Sequence, residues 1–280
     1  MFRSQLDKRR TANLLLSHKK LDYDSSNPSC LRKEGATDKA FFTGVKVEEI
    51  EVSGVRVRFP IRYFDSSMIA ASFPAPAAKV QEVLPSDKLK PVQVMPGTAA
   101  VALAAMEYRH IDGLAPYNEF GVMLPVVYQT ADNIPGLPGL YVLHLPVTTE
   151  EARWGGVEIY GYPKFIAEIS FEDAGEMRRC RIRAEGKDII TLEVKKPVSQ
   201  PQSWELYTYT VKDGQLLRTL IQQQGQIGTS DVRGGASYTL GDHTIAEELR
   251  ALGMDKTSVL HQYAPQSQSM LHLSGERLPL

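Results

Sequence analysis

The stretch from Glu158 to Ile166 reads Glu-Ile-Tyr-Gly-Tyr-Pro-Lys-Phe-Ile and sets a single lysine, Lys164, in an otherwise apolar and aromatic run. In such surroundings burial disfavours the charged ammonium and favours the neutral amine. A neutral amine is a nucleophile whose natural target is a carbonyl carbon. The alternative is a strand lysine that extends its ammonium into water along an apolar surface. The residues of the stretch leave both interpretations open.

The motif Gly-Tyr-Pro-Lys at residues 161–164, with Glu158 upstream, resembles the active-site segment of the acetoacetate decarboxylase family. In that family the lysine after Tyr-Pro forms a Schiff base with a β-keto acid, as expected for an activated lysine. The resemblance implies that Lys164 is the catalytic nucleophile. It also implies that Glu158, Tyr162 and Phe165 belong to the substrate-binding site, where the two aromatic side chains would exclude water.

A second segment carries the same resemblance. Residues 117–126 read Tyr-Asn-Glu-Phe-Gly-Val-Met-Leu-Pro-Val. They are similar to the family segment Tyr-x-Glu-x-Gly…Pro-Val, whose glutamate lies in the active site. Glu119 is therefore the second predicted catalytic residue, which would shuttle protons or steer the substrate carboxylate. The alternative is a loop carboxylate in water.

Charge complementarity predicts an arginine that binds the substrate carboxylate. Family members carry one near the N-terminal strand, and the gapped resemblance does not choose between Arg56, Arg58 and Arg62. We favour Arg62 as the substrate-binding residue. Each of the three could instead lie on the solvent face of a strand.

Two positions depart from the family pattern. The decarboxylase proper has a second lysine directly after the reactive one, where this chain has Phe165. A second family carboxylate falls on Ala104 when residues are counted back from Glu119 without gaps. Both differences indicate a divergent member of the superfamily with altered substrate recognition. Such members are known for other imine chemistry, including aldol or retro-aldol reactions and dehydration of oxo acids.

Alternation of apolar and polar residues predicts strands over most of the chain. A hairpin or bulge is expected at Gly54, a loop over residues 130–140, and a helix over 244–252 with Asp242 as its candidate cap. Further predicted elements are strands over 67–73, 98–108, 141–147, 166–171, 179–184, 189–194, 207–211, 216–227, 258–263 and 267–273, and a helix over 77–84 between Pro74 and Pro85. The resemblance covers roughly residues 40–275. It implies a mainly β (α+β) fold, an antiparallel β-cone or barrel with a few short helices.

The domain boundary is predicted near residue 39. Residues 1–39 form a polar N-terminal extension, and residues 40–280 form the acetoacetate decarboxylase-like domain. The extension is interpreted as an appendage, such as an arm that contacts another copy. A nucleic-acid or membrane role is the alternative, and the acidic residues Asp7, Asp22 and Asp24 among its lysines and arginines argue against it.

Composition excludes several classes of protein. Hydrophobic residues make up 42% of the chain and charged residues 23%, and the net charge is −1, so neither nucleic acid nor an anionic membrane is an expected partner. No apolar run is long enough to cross a bilayer, and no secretory signal is recognised. Cys30 and Cys180 are interpreted as free thiols in a reducing cytoplasm. No metal or organic cofactor is expected, because the lysine itself supplies the electron sink.

The leading functional hypothesis is a Schiff-base-forming lyase that decarboxylates a β-keto acid or another oxo acid through Lys164. Aldolase- or dehydratase-type imine chemistry on an oxo acid is the alternative within the same class. A non-catalytic protein that binds small carbonyl compounds or lipids is the alternative from another class. The expected partners are a small oxo acid and, by analogy with the family, further copies of this chain in a homo-oligomer.

Overall fold

The computed structural model describes residues 39–129 and 136–280. A 3-10 helix at Lys39–Phe42 precedes three α-helices, which are α1 (Ala77–Glu82), α2 (Glu150–Tyr160) and α3 (Thr244–Ala251). The described strands, in chain order, are β1 Glu48–Val52, β2 Val55–Phe59, β3 Ile61–Pro76, β4 Leu89–Pro91, β5 Gln93–Met95, β6 Thr98–Ile111, β7 Tyr117–Tyr128, β8 Leu137–His144, β9 Glu168–Ala174, β10 Met177–Ala184, β11 Lys187–Lys195, β12 Gln200–Lys212, β13 Gln215–Ser230, β14 Ala236–Leu240, β15 Leu260–Leu271 and β16 Glu276–Pro279. The predicted mainly β fold with a few short helices is confirmed.

Seven strands of the largest sheet close on themselves. Their order is β7-β8-β12-β13-β15-β3-β6, and β6 pairs again with β7. Neighbouring strands are antiparallel except β8 and β12, which run parallel over two residue pairs. Closure removes open sheet edges and encloses an interior. The predicted antiparallel cone or barrel corresponds to this ring.

Side chains on β3, β6 and β7 alternate between two environments, because successive residues of a strand point to opposite faces. On β6, Val101 and Leu103 are fully buried in a large apolar core, whereas Ala104 and Met106 face the interior of the ring. On β7, Phe120 belongs to the same core. Each strand therefore supplies one face to the core and the other face to the interior.

A four-stranded sheet of order β14-β11-β10-β9 packs on the outside of the ring. Its buried residues Cys180, Ile182 and Leu192 share the large core with the outward side chains of the ring. Leu249 of α3 joins the same core. The hairpin of β1 and β2 turns at Gly54, whose φ of +81° lies in the left-handed region that glycine adopts readily. This hairpin was predicted.

Two predicted boundaries are wrong. The strand predicted over 67–73 does not end before Pro74 but continues to Pro76. Pairing between β3 and β15 ends at Ser72. Beyond that point the Pro74 carbonyl accepts a hydrogen bond from the Asp255 N–H. The Pro74 nitrogen lies on this same unpaired side of the strand, so its missing N–H removes no hydrogen bond from the sheet. The predicted loop over 130–140 gives way to strand from Leu137 onward, where β8 lies against the aromatic ring of Tyr209.

Two further corrections concern the C-terminal part. The predicted strands 258–263 and 267–273 are one strand, β15, with irregular register between Ala264 and Ser269. Helix α3 is capped by His243 and not by Asp242, since His243 Nδ1 accepts from the Ile245 N–H at 3.1 Å. An unprotonated imidazole nitrogen can cap a helix N-terminus because, like a carboxylate oxygen, it accepts a hydrogen bond from a backbone N–H.

Several predictions concern residues outside the described ranges. Among them are Cys30 and all but the last residue of the predicted extension, residues 1–39. Cys180 is buried and carries a free thiol whose pKa is raised by burial. No helix in residues 39–129 and 136–280 is long and apolar enough to cross a lipid bilayer. The homo-oligomer and the cytoplasmic location stay predictions.

His261 on β15 predicts how stability depends on pH. The residue is 3% exposed, and burial together with the charge of Lys195 lowers its pKa from the ordinary 6.5. The unfolded chain then binds a proton that the folded chain resists, so the free energy of unfolding falls as the pH drops below about 6.5. His261→Gln should reduce this fall, measured by urea unfolding at about pH 7.5 and about pH 5.5. An equal fall in variant and parent would contradict the assignment.

Candidate active site

Lys164 and Glu119 form a buried ion pair at the inner wall of the ring. Lys164 Nζ lies 2.7 Å from Glu119 Oε2, and the two side chains are 7% and 8% exposed. Burying two charges is costly unless each balances the other at close range, as here. The structure therefore contradicts both alternative interpretations, in which Glu119 is a loop carboxylate in water and Lys164 extends its ammonium into solvent.

Backbone pairing brings the two residues together across 45 positions of sequence. Glu119 pairs with Val147 in an antiparallel bridge, and Val147 pairs with Ile166 in a parallel bridge. The Val147 N–H donates to the Phe165 carbonyl, and the Ala167 N–H donates to the Val147 carbonyl, each at 2.9 Å. The lysine segment is therefore an extended strip held beside β7 by one intervening segment.

Helix α2 sets the direction from which Lys164 approaches. Its N-terminus is capped by the Thr149 side chain, and its C-terminus ends at Gly161, whose φ of +63° reverses the chain. The Tyr162 N–H then donates to the Gly156 carbonyl at 3.0 Å. After this reversal the aliphatic stem of Lys164 lies directly on Gly156, where an added Cβ would be 2.5 Å from Lys164 Cε and closer still to Cδ.

Helix α2 is an element that the sequence analysis did not predict. Glu158 and Tyr160 belong to the helix, and Lys164 follows it. The two adjacent glycines at 155 and 156 have low helix propensity, so local preference does not predict a helix here. The signals that could have found it are Thr149 before two glutamates and Gly161 after the last turn.

Tyrosine side chains surround the ion pair. The Tyr108 hydroxyl donates to Glu119 Oε1 at 3.3 Å, and Lys164 Nζ lies 5.5 Å from the ring centre of Tyr117 and 5.8 Å from that of Tyr162. Tyr63 and Tyr117 share a hydrogen bond of 3.2 Å between their hydroxyls. Burial raises the pKa of all four phenols, and the nearby Glu119 carboxylate adds to the rise. They therefore stay neutral hydrogen-bond donors at neutral pH.

The ion pair opens onto a cavity of about 130 Å³ inside the ring. All seven ring strands contribute side chains to its wall, and most of these are aliphatic or thioether groups. Ala104, the position where the family has a second carboxylate, is part of that wall. A small molecule in this space would meet one amine, one carboxylate, several phenols, and a few hydroxyl and carboxamide groups set among aliphatic and thioether side chains.

The other predicted substrate-binding residues are distributed differently. Tyr162 lines the cavity, and its hydroxyl lies 2.7 Å from Thr208 Oγ1. Phe165 packs against the large core on the opposite side from Lys164, and Glu158 is exposed. Arg62 Nε donates to Asp112 Oδ2 at 3.1 Å and does not line the cavity. Of the predicted set, the structure brings together Lys164, Glu119 and Tyr162.

The sequence predictions missed Tyr63, Tyr108 and Tyr117 as neighbours of the ion pair. Tyr117 precedes Glu119 by two residues, so the strand period places both on one face. Tyr108 lies directly opposite Tyr117 in the register of β6 and β7. Tyr117 could have been found by counting along one strand, whereas finding Tyr108 required knowledge of how two strands pair.

The family model described as acetoacetate decarboxylase (ADC) matches residues 51–265. No curated protein sequence matches the chain.

Solved structures share the fold. One is the enduracididine biosynthesis enzyme MppR complexed with pyruvate, with a TM-score of 0.58, 15% identity, and coverage of 79% of this chain and 91% of that chain. Another is acetoacetate decarboxylase from Legionella pneumophila subsp. pneumophila str. Philadelphia 1, with a TM-score of 0.58, 16% identity, and coverage of 78% and 87%. A further acetoacetate decarboxylase structure has a TM-score of 0.56 at 16% identity, covering 80% and 91%.

Proposed function

This chain belongs to the acetoacetate decarboxylase family, which makes it a carboxy-lyase-like enzyme, and from that premise we propose that it decarboxylates a β-keto acid through an imine on Lys164. The observation that carries the proposal is the buried pair of Lys164 and Glu119, 2.7 Å apart at the wall of an apolar cavity. An amine in such a place can attack a carbonyl carbon, provided that it first loses a proton.

Glu119 is the residue that takes up this proton in the proposal. Its Oε2 atom is within hydrogen-bond distance of Lys164 Nζ, so the proton moves between the two without a bridging water. The transfer replaces a pair of charges with a neutral amine and a neutral carboxylic acid. Tyr108, which donates to the other carboxylate oxygen, holds Glu119 in position during the exchange.

The reaction then proceeds in balanced steps. Lys164 Nζ forms a bond to the keto carbon, the keto oxygen leaves as water, and a protonated imine remains. The bond between the α-carbon and the carboxylate breaks, carbon dioxide leaves, and its electron pair passes into the imine to give a neutral enamine. Protonation at carbon and hydrolysis release the ketone and return free Lys164. Covalent catalysis of this kind divides one difficult step into easier ones.

A second candidate uses the same imine for carbon–carbon bond formation or dehydration. The observation in its favour is Ala104, a methyl group in the cavity wall where the family decarboxylase has a carboxylate. The MppR structure complexed with the condensation product of pyruvate and imidazole 4-carboxaldehyde concerns a protein of the same fold with 15% identity. The two candidates differ only in what happens to the imine after it forms.

Borohydride trapping tests the proposal. The enzyme is incubated with acetoacetate or with pyruvate, reduced with borohydride, digested and examined by mass spectrometry. We expect an adduct on the peptide that contains Lys164, because borohydride reduces an imine to a stable secondary amine. With acetoacetate the adduct should be an isopropyl group, which shows that the carboxylate left before reduction.

The exposed Lys46, with 83% of its side chain in solvent, serves as the internal control and should stay unmodified. With acetoacetate, an adduct that retains the carboxylate would favour the second candidate over decarboxylation. Absence of any adduct on Lys164 with either oxo acid would contradict the imine itself.

A further inference from the structure

The charges inside the cavity limit which substrates can enter. Of the twenty described residues that line it, Lys164 and Glu119 are charged, and they neutralise each other. Arg62, the predicted carboxylate ligand, is bound to Asp112, which also accepts from Arg58 at 2.7 Å. Among the residues that the structure describes, the lining therefore holds no guanidinium that could bind a second carboxylate. A dianionic substrate would bury a negative charge without a partner, which is costly.

The apolar part of the lining comes from both sides of the ring. Its principal members are Met68, Met106, Met123, Leu206, Ile221 and Leu271. Thioether side chains are unbranched and adapt to the shape of an apolar group. A substrate with only a methyl substituent would leave much of this surface without contacts, whereas a longer alkyl group would cover it and remove it from water.

The polar groups of the lining are mostly occupied. Ser66 and Ser267 bond to each other at 3.0 Å, and Tyr162 bonds to Thr208. Within the described residues no hydrogen bond engages the Gln223 carboxamide or the Ser269 hydroxyl, which are directly opposite each other on β13 and β15. These two uncharged donors can receive one carboxylate.

We propose that the substrate is a monocarboxylic 3-oxo acid with an alkyl substituent longer than methyl, its tail against the thioether and aliphatic wall and its carboxylate at Gln223 and Ser269. The inference rests on the proposed imine at Lys164 and specifies the substrate class of that site. In this proposal, burial of the alkyl group supplies most of the binding free energy. The single carboxylate is held by neutral hydrogen-bond donors.

The test is a substrate series measured by trapping on Lys164. Acetoacetate, 3-oxohexanoate and the dicarboxylate oxaloacetate are compared by the concentration that gives half-maximal adduct. Each buried methylene should tighten binding about fourfold, so 3-oxohexanoate should need roughly fifteenfold less than acetoacetate. Oxaloacetate should need more than either. Equal or reversed concentrations would overturn the inference while leaving the imine in place. Absence of any adduct would instead contradict the proposed function.

A variant identifies the wall that gives this preference. Met106→Gln keeps the side-chain length but adds polar atoms, and it should reduce the preference for 3-oxohexanoate to about threefold or less. The ratio between two substrates does not depend on how much of the variant is folded. Met68→Gln tests the same wall from the neighbouring strand β3, where Met68 pairs with Met106. Met95→Gln is the control, because Met95 is 54% exposed, and it should keep the parent ratio. A parent ratio in both cavity variants would refute the assignment of the tail.

Discussion

Lys164→Met should lower turnover of an oxo acid by roughly four to six orders of magnitude, as expected when a covalent nucleophile is removed. Methionine keeps most of the volume of the lysine stem, so the wall of the cavity stays filled. The amine that forms the imine is lost, and no other lysine in residues 39–129 and 136–280 lines the cavity. The measurement is kcat/KM for the decarboxylation of the preferred substrate. Activity within tenfold of the parent would refute the role of Lys164.

The same substitution separates catalysis from stability. It leaves Glu119 buried without its cation, and the loss of one partner of a buried pair costs about 3–5 kcal/mol. Adding Glu119→Gln removes the unpaired charge, so the double variant should recover most of the free energy of unfolding but none of the activity. Lys46→Met is the matched control, because that side chain is 83% exposed and should alter neither quantity. A double variant as unstable as Lys164→Met would contradict the account of the pair.

Gly156→Ala should lower kcat by about a hundredfold, the effect expected when a reacting group is displaced by about 1 Å. The added methyl would overlap the stem of Lys164 at Cδ and Cε, so the amine must move away from Glu119. Gly156 acts through Lys164 and is a positioning residue. The rate of borohydride trapping on Lys164 should fall together with kcat, because both depend on where the amine lies.

Gly155→Ala is the matched control on the same helix. A Cβ at 155 would meet only Ile159 Cδ1, at 4.0 Å, which is ordinary van der Waals contact. Alanine should stabilise this half-buried turn of the helix by about 0.5–1 kcal/mol and leave turnover and trapping at parent levels. If both alanine variants trapped substrate at the same rate, the contact between Gly156 and Lys164 would have no part in catalysis.

Local signals were sufficient for much of the fold. Gly54 separates two alternating strands, and the hairpin that it predicts is present. The strands predicted over 207–211 and 216–227 are likewise paired as a hairpin, which turns at Asp213 and Gly214. Local signals failed where tertiary contacts decide. The glycines of α2 weaken its helical preference, yet Gly156 is there because the lysine stem needs the space. Closure of the ring by β6 and β7 depends on pairing that no single strand encodes.

Some residues of the candidate site were predictable from local sequence, and others were not. Lys164 and Glu119 were predicted from short motifs, and the structure places them in contact. The arginine was not identifiable, because a strand arginine has the same local pattern whether it binds a ligand or, like Arg62, pairs with a carboxylate such as Asp112. Gln223 and Ser269 were not predicted, since their meeting depends on the register of two strands distant in sequence.

The alternation of side chains along β6 and β7 has a consequence for how new activities could arise from this scaffold. Residues that decide whether the polypeptide folds and residues that decide what it converts occupy alternate positions on the same strands. Exchanges at inward positions such as Ala104 or Met106 can therefore alter chemistry while Val101 and Leu103 continue to hold the two sheets together. A mutational library restricted to every second codon of these strands would explore selectivity with little loss of foldable clones.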